Sequence, residues 1–273
     1  MKMEEEHFKE VIGVSLDTFG MFVEKYKSFL NTRLLLHHFS PTDEMIIGFL
    51  QLWHYPTDDL IAAIFNVDKK SIWRIRNRII DFLFQYLHNQ ISLENFPTRS
   101  LCCWPIFNSL ITLAIDGSEQ PVVTSTNKLL DAEFYSSKKH QHSINKLVLT
   151  RLDGKIMWMS NSFSGSNDDV SIARATRCSW YDFLTPTEYI IGDSGFDPLS
   201  SDGWRILTPG SNTEFNRLLS SHRIIIEDIF AKMKSWDICS KCIRMPLLKH
   251  EEDVLDYHDK VWRIVAVLVN NFC

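Results

Sequence analysis

The sequence predicts an α/β protein: a mixed sheet flanked by helices, preceded by an all-helical domain. Two observations predict this class. Apolar residues recur at helical spacing up to about Asn89, whereas short β-rich runs dominate from Leu110 to Ile191. A segment with two prolines and no helical period, Glu94 to Pro105, separates the two patterns. We therefore place a helical domain at 1–95 and a second domain at 106–273, with a linker between them.

Composition restricts the classes of function. The chain of 273 residues is 45% hydrophobic and 23% charged, with a formal net charge of −5. A protein that coats nucleic acid is usually basic, so we expect any contact with DNA or RNA to be local. Met1 to Glu10 is polar and acidic rather than a secretory segment, and the scattered cysteines favour reduced thiols inside the cell. The longest late apolar run, Ile264 to Val269, is far shorter than the roughly 20 residues that span a membrane.

Successive helix starts organise the N-terminal domain, after an amphipathic helix from Thr18 to Phe29. Ser40 precedes a proline and two acids, which is a strong helix N-terminus. Pro56 to Asp59 begins a short helix, and Asp68 caps a further helix that runs to about Leu87. A short helix, a tight turn and a second helix form the helix-turn-helix arrangement, whose second helix enters the major groove of DNA.

The second helix of this pair carries an apolar stripe and, opposite it, a basic side. The candidate DNA contacts on that side are Lys69, Lys70, Arg74, Asn77 and Arg78. The alternative is an ordinary surface helix, because charged residues are mostly solvated.

In the second domain, two β-rich runs each end at an aspartate beside a glycine. Leu110 to Ile115 precedes Asp116, and Tyr189 to Ile191 precedes Asp193. Residues at the carboxyl end of a buried strand are rigidly held and open to solvent, which suits chemistry. The alternative for Asp193 is a plain acidic turn, since glycine, aspartate and serine are the usual turn residues.

Turn signals predict how the neighbouring strands connect. We expect Gln120 to Thr124 to return as a hairpin over a turn at Gly117-Ser118, and Asp153-Gly154 to join a second hairpin. A helix from Asp168 to Arg177 and a long helix from Thr213 to about Trp236 follow. This order predicts a mixed sheet of the ribonuclease-H-like kind.

The long helix supplies a third acid. Glu227 lies on a face of this helix away from its apolar stripe, together with Arg223. The two form either an ordinary ion pair one turn apart, or part of a site. Hard divalent metals take oxygen ligands, and two such ions can clamp an in-line phosphoryl transfer. Asp116, Asp193 and Glu227 are therefore our candidate metal ligands.

An ordered series of short motifs runs through the second domain. It comprises Ala114 to Pro121, Tyr135 to His140, Leu152 to Ile156, Gly165 to Asp169, Gly192 to Phe196, Leu207 to Pro209, Phe215-Asn216, Arg223 to Glu227 with Phe230 and Lys234, and Leu268 to Asn271. The series resembles the DDE-type transposases of the PIF/Harbinger group and their domesticated nuclease relatives. The family's Gly-Ser-x-His-Asp motif lacks its histidine here, where Asn167 and Asp168 stand.

The resemblance implies a divalent-metal-dependent DNA transposase or endonuclease that cuts and transfers strands by in-line phosphoryl transfer. It implies Asp116, Asp193 and Glu227 as catalytic residues that bind two Mg²⁺ or Mn²⁺ ions. It implies that Lys138, Lys139, Arg223 and Lys234 contact DNA. It also implies nuclear localisation (or cytoplasmic), a Myb-like DNA-binding partner protein, a homodimer and no membrane.

Other interpretations stay open at this point. A domesticated, catalytically silent DNA-binding or adaptor protein has the same fold, and so does a ribonuclease. Asp168 is either an auxiliary acid or the N-cap of its helix. Cys239 and Cys242 are structural thiols, or half of a zinc site that His250 and His258 complete at an unusually wide spacing.

Overall fold

The computed structural model describes residues 2–31, 39–106, 108–123, 132–244 and 251–272. The chain divides into two compact units. The helical unit comprises Met1–Gln90, Met233–Lys241 and Lys260–Cys273, and the sheet unit comprises Ile91–Lys232 and Cys242–Asp259. In the described residues, no helix is both long and apolar enough to cross a membrane.

The helical unit begins with five helices that follow the predicted starts. They are α1 (Lys2–Ile12), α2 (Leu16–Asn31), α3 (Pro41–Trp53), α4 (Asp58–Phe65) and α5 (Lys69–Leu87). The side chains of Ser40, Thr57 and Asp68 accept backbone N–H groups at the starts of α3, α4 and α5. Asn66, at φ +51°, ends α4 and begins the turn into α5. The predicted helix-turn-helix geometry is therefore present.

Close helix packing fixes α5 against α3. A Cβ built on Gly48 of α3 would lie 2.2 Å from Cγ2 of Ile79, so only a glycine permits this approach. The rings of Phe22 and Phe49 pack beside this contact, at a centroid distance of 5.6 Å. Burial of these apolar side chains is the main stabilising term of the unit.

The sheet unit contains eight strands and the remaining helices. The strands are β1 (Trp104–Ile106), β2 (Ser109–Pro121), β3 (Tyr135–Ser136), β4 (Gln141–Arg151), β5 (Ile156–Met159), β6 (Phe163–Ser164), β7 (Glu188–Ile191) and β8 (Ile206–Leu207). The helices are α6 (Phe96–Arg99), α7 (Asp169–Ala175), α8 (Asp197–Ser201), α9 (Thr213–Lys234), α10 (Asp237–Ser240) and α11 (Glu251–Phe272). Of these, α10 and the ends of α9 and α11 belong to the helical unit.

The sheet order is β3-β4-β2-β7-β8, with β1 beside β2 and with β5 and β6 beside β4. Strand β2 pairs antiparallel with β4 and parallel with β7, and β7 pairs parallel with β8. A core on one face of the sheet joins Leu113 and Ile115 of β2 to Ile172 of α7. The predicted ribonuclease-H-like mixed sheet flanked by helices, preceded by a helical region, is confirmed.

The hairpin predicted at Gly117-Ser118 is wrong. Strand β2 continues through both residues to Pro121, because Gly117 pairs with Leu147 and Ser118 with Lys146 of β4. Thr124, the predicted end of the returning strand, lies outside the described residues. The hairpin at Asp153-Gly154 is confirmed: it joins β4 to β5, with Gly154 at φ +89°.

The segment from Glu94 to Pro105, which we expected to be a linker, contains α6 and most of β1 and belongs to the sheet unit. The Arg99 guanidinium donates to both carboxylate oxygens of Glu188, at 2.8 and 2.6 Å, and both side chains are buried. Burial opposes ionisation of Glu188, but the bonds from Arg99 hold its pKa below the usual value. This buried ion pair docks the segment on the first residue of β7.

Candidate active site

The two aspartates lie near the same end of the parallel pair β2 and β7. Asp193 lies just beyond the last residue of β7, as predicted, whereas Asp116 lies within β2, which continues to Pro121, so the prediction that its strand ends there is wrong. Strands β2 and β7 are parallel neighbours, and Ala114 pairs with Ile191, each two residues before its aspartate. The Asp116 carboxylate accepts the Gly117 N–H at 2.8 Å, and that of Asp193 accepts the Gly195 N–H at 2.9 Å. Parallel pairing thus positions both carboxylates from rigid backbone.

Negative charge at this edge is only partly compensated. The pKa of Asp116 is raised from its usual 3.8 to about 6, chiefly by burial and also by the charges of Asp193 and Asp169. The Gly117 N–H and the Arg223 guanidinium act in the opposite direction. The folded protein therefore holds a carboxylate that a cation would stabilise.

Glu227 of α9 pairs with Arg223. The distance from Nη2 to Oε1 is 3.2 Å, and the side chains of Glu227 and Arg223 are 58% and 20% exposed. The charge of Arg223 lowers the pKa of Asp116, so Arg223 lies within electrostatic range of that carboxylate. The contact that the structure shows for Glu227 is its ion pair with Arg223. Among the residues that the structure describes, no group of three or more His, Cys, Asp or Glu side chains is arranged to hold a metal ion.

Asp169 is a fourth acid at this edge, which we did not predict. It is the first residue of α7, and a Cβ built on Gly117 would lie 2.1 Å from its Oδ1. Asn145 donates to Oδ1 at 3.0 Å, and Lys138 donates to Oδ2 at 3.2 Å. The sequence signal was present, since Asp169 is the last residue of the Gly165 to Asp169 motif.

Its neighbour Asp168 is the N-cap of α7. Its carboxylate accepts the Ser171 N–H at 2.7 Å, and the bonds from Ser171 lower the pKa of Asp168. Asn167 donates to the backbone oxygen and the hydroxyl of Ser164, at 3.2 and 3.0 Å. Both side chains thus shape the loop before α7.

The other basic residues that we predicted as DNA contacts lie apart. Lys138 and Lys139 follow β3 in the turn to β4, and both are exposed. Lys234, also exposed, is the last residue of α9 and belongs to the helical unit. The structure therefore brings Lys138 and Arg223 to the acids, and assigns Lys234 to the other unit.

Comparison with protein families agrees with this arrangement. A family model described as "DDE superfamily endonuclease" matches residues 115–270, more than half of the chain. The chain belongs to this family. A second model, "Helix-turn-helix of DDE superfamily endonuclease", matches residues 37–88. A search of curated proteins and a search of solved structures each found no match.

In this DDE superfamily endonuclease, all five predicted DNA contacts of the helix-turn-helix lie on α5 and are at least partly exposed. Lys70 and Arg74 are exposed on α5, and Asn77 is partly exposed one turn later. Lys69 is also exposed, although it pairs with Asp59 at 2.8 Å.

Arg78 is partly exposed and is already paired within the helical unit. Its guanidinium forms an ion pair with the buried Glu44 and donates to the Tyr26 hydroxyl at 2.9 Å. A buried carboxylate requires such a counterion, so Arg78 stabilises the helical unit. Contact of Arg78 with DNA stays a prediction.

The cysteine pair gives no zinc site in the described residues. Cys239 is buried and Cys242 is exposed. His258 is buried, and its Nδ1 bonds to the Ser162 hydroxyl at 2.7 Å. His250 lies outside the described residues.

Proposed function

We propose that this protein is a PIF/Harbinger-type DDE endonuclease that cuts and transfers DNA strands by metal-dependent in-line phosphoryl transfer. The observation that carries the proposal is the placement of Asp116 and Asp193 by the parallel strands β2 and β7, where partly buried Asp116 has its pKa raised to about 6. Carboxylate oxygens are the ligands that Mg²⁺ and Mn²⁺ prefer. The donor type and the excess negative charge of these residues both fit a divalent cation.

In this proposal Asp116, Asp193 and Glu227 hold two Mg²⁺ or Mn²⁺ ions. When bound, such ions supply charge neutralisation at the attacking and leaving oxygens of the scissile phosphate. Glu227 must leave Arg223 to join the aspartates. An ion pair one turn apart on a helix surface is worth only about 0.2–0.5 kcal/mol, and the Glu227 side chain is 58% exposed, so this release costs little. The freed Arg223 then contacts the DNA phosphate.

The proposed DNA contacts fall on both units. Lys138, Lys139, Arg223 and Lys234 contact the strand that is cut, and Lys69, Lys70, Arg74 and Asn77 of the helix-turn-helix contact duplex DNA. We further propose that residues 1–95 serve binding and 106–273 serve catalysis, that strand transfer uses a homodimer, that a Myb-like protein assists recognition, and that the protein acts in the nucleus. These four proposals rest on resemblance to the PIF/Harbinger group.

Cleavage of DNA by the purified protein tests the catalytic proposal. We expect Mg²⁺-dependent or Mn²⁺-dependent cleavage, and a loss of at least about 100-fold in Asp193→Asn. Asp197→Asn is the matched control, because Asp197 is an exposed carboxylate four positions along the chain. Cleavage that persists in Asp193→Asn, or that is indifferent to chelation of the metal, contradicts the assignment.

A second candidate function is a catalytically silent DNA-binding protein with the same fold. One observation favours it: the Glu227 carboxylate is bound to Arg223, away from a three-ligand arrangement in the described residues. Calorimetric titration with Mg²⁺ separates the two functions. A nuclease binds the ion and loses that binding in Asp116→Asn, whereas a silent binder takes up DNA without a metal effect.

DNA binding by the helix-turn-helix has its own test. Each lost phosphate contact lowers the slope of log affinity against log salt by about 0.9. We expect this reduction in Arg74→Ala. Lys27→Ala removes the same charge from an exposed position on α2 and is the control. Equal slopes for the wild type and Arg74→Ala would exclude this face from DNA contact.

A further inference from the structure

Asp169 lies across strand β2 from Asp116. Side chains alternate along a strand, so Leu113, Ile115 and Gly117 share the face that packs on α7, whereas Asp116 is on the other face. Gly117 has no side chain, and the Asp169 carboxylate occupies the space that one would fill. Asp169 therefore approaches the proposed metal-binding aspartates across the backbone of β2.

Asn145 fixes one oxygen of Asp169. Its Nδ2 donates to Asp169 Oδ1 at 3.0 Å and to the Asn167 carbonyl at 3.1 Å, and its own Oδ1 accepts the Lys146 N–H at 2.7 Å. The Asn145 side chain is only 3% exposed. With donors and acceptor all engaged, it is a rigid support for the carboxylate.

The second oxygen of Asp169 faces Lys138. The Nζ to Oδ2 distance is 3.2 Å, and the Asp169 and Lys138 side chains are 13% and 65% exposed. Partial burial works against the lysine charge, but Asp169, Asp193 and Glu119 together raise the pKa of Lys138 above its usual value. A fixed acid thus holds a flexible, exposed lysine near the catalytic edge.

We propose that Asp169 is a positioning residue that holds the Lys138 ammonium near Asp193, where it binds a phosphate of the DNA strand being cut. An ammonium group has three donors, so one can stay on Asp169 while the others bind phosphate oxygens. Lysine has a long flexible stem, and a fixed acceptor reduces the freedom it must lose on binding. The inference rests on the proposed function.

DNA binding without metal tests the proposal in the wild type, Asp169→Asn, Lys138→Ala and the double variant. Removal of a negative charge near DNA should by itself strengthen binding. If Asp169 positions Lys138, DNA affinity should change in the opposite direction. Asp169→Asn then weakens binding by up to about fivefold, which corresponds to the free energy of an exposed ion pair. In the Lys138→Ala background the same change causes no loss. Equal or tighter binding by the single variant Asp169→Asn would overturn the proposal.

Cleavage kinetics in Mg²⁺ give the second readout. Positioning predicts that Asp169→Asn raises KM for DNA with little change in kcat, and only when Lys138 is present. An equal fall in kcat in both backgrounds would overturn the proposal and make Asp169 a metal ligand or catalytic acid. Absence of DNA cleavage would refute the proposed nuclease activity. The binding measurements would still test the role of Asp169, because they are made without metal.

Gly117→Ala is an independent variant for the same idea. Its Cβ would lie 2.1 Å from Asp169 Oδ1, so the carboxylate must shift, which disturbs its contacts with Asn145 and Lys138. We expect Gly117→Ala to weaken DNA binding as Asp169→Asn does, and to add nothing to Lys138→Ala. Melting temperatures of all the variants check that the fold is retained. Wild-type binding by a folded Gly117→Ala protein would count against the proposal.

Discussion

Asp116→Asn should stabilise the metal-free protein at neutral and alkaline pH. The pKa of Asp116 is raised from 3.8 to about 6 in the folded state, chiefly by burial. A carboxyl group with a raised folded-state pKa binds its proton more tightly when folded, so the folded protein loses stability as pH rises from about 4 to about 6. The amide side chain carries no charge and avoids this loss.

The magnitude follows from the shift. One pKa unit corresponds to about 1.4 kcal/mol, so the ionised Asp116 costs the folded state about 3 kcal/mol at pH 8. At pH 5 the unfolded carboxyl is already ionised while the folded one is mostly protonated, and about half of that cost is present. The variant should therefore exceed the wild type in free energy of unfolding by about 3 kcal/mol at pH 8 and about 1.5 kcal/mol at pH 5.

Urea unfolding at the two pH values, with a chelator present, measures this difference. The buried His258, whose pKa is lowered by burial and by Lys146, destabilises both proteins at acid pH and cancels in the comparison. Asp197→Asn controls for the loss of one exposed carboxylate.

Adding Mg²⁺ should then stabilise the wild type at pH 8 and leave Asp116→Asn nearly unchanged. If the variant is no more stable than the wild type at pH 8, the charge at this edge is not uncompensated. The charge of Asp116 then gives no support to a cation site here.

Two further stability predictions each compare a matched pair of variants. Gly48→Ala places its Cβ 2.2 Å from Ile79 and should cost about 1–3 kcal/mol by overpacking, measured by thermal unfolding. Gly20→Ala meets nothing within 4 Å on the exposed side of α2 and should instead stabilise by up to about 1 kcal/mol, so a loss there would contradict the packing argument. Arg99→Met leaves a buried carboxylate without its counterion and should cost about 3–5 kcal/mol, whereas Arg174→Ala breaks an exposed pair and should cost about 1 kcal/mol or less. Similar values for the two arginine variants would refute the role of burial.

Local chemistry made the helical starts and one hairpin predictable. A capping side chain acts within three residues, so Ser40, Thr57 and Asp68 are recognisable without any tertiary information. Asp153-Gly154 needs only its own turn geometry. The strand-end position of Asp193 follows equally from a short β-rich run, although the sequence does not reveal what it faces.

At Gly117-Ser118 the tertiary structure overrides a local turn signal. A glycine followed by serine is a good turn signal, but β4, some 30 residues later, pairs with both residues and keeps them extended. The partner strand, not the local preference, decides the conformation.

The sequence by itself therefore determined the helix-turn-helix, most of the element types and the position of Asp193 after a strand, because each depends on residues within a few positions. Only the tertiary structure decided which charges meet. It paired Arg78 with Glu44, docked Arg99 on Glu188, and laid Asp169 on Gly117 beside Asp116. The partners of the two ion pairs lie 34 and 89 positions apart in the chain. No local pattern specifies so distant a neighbour.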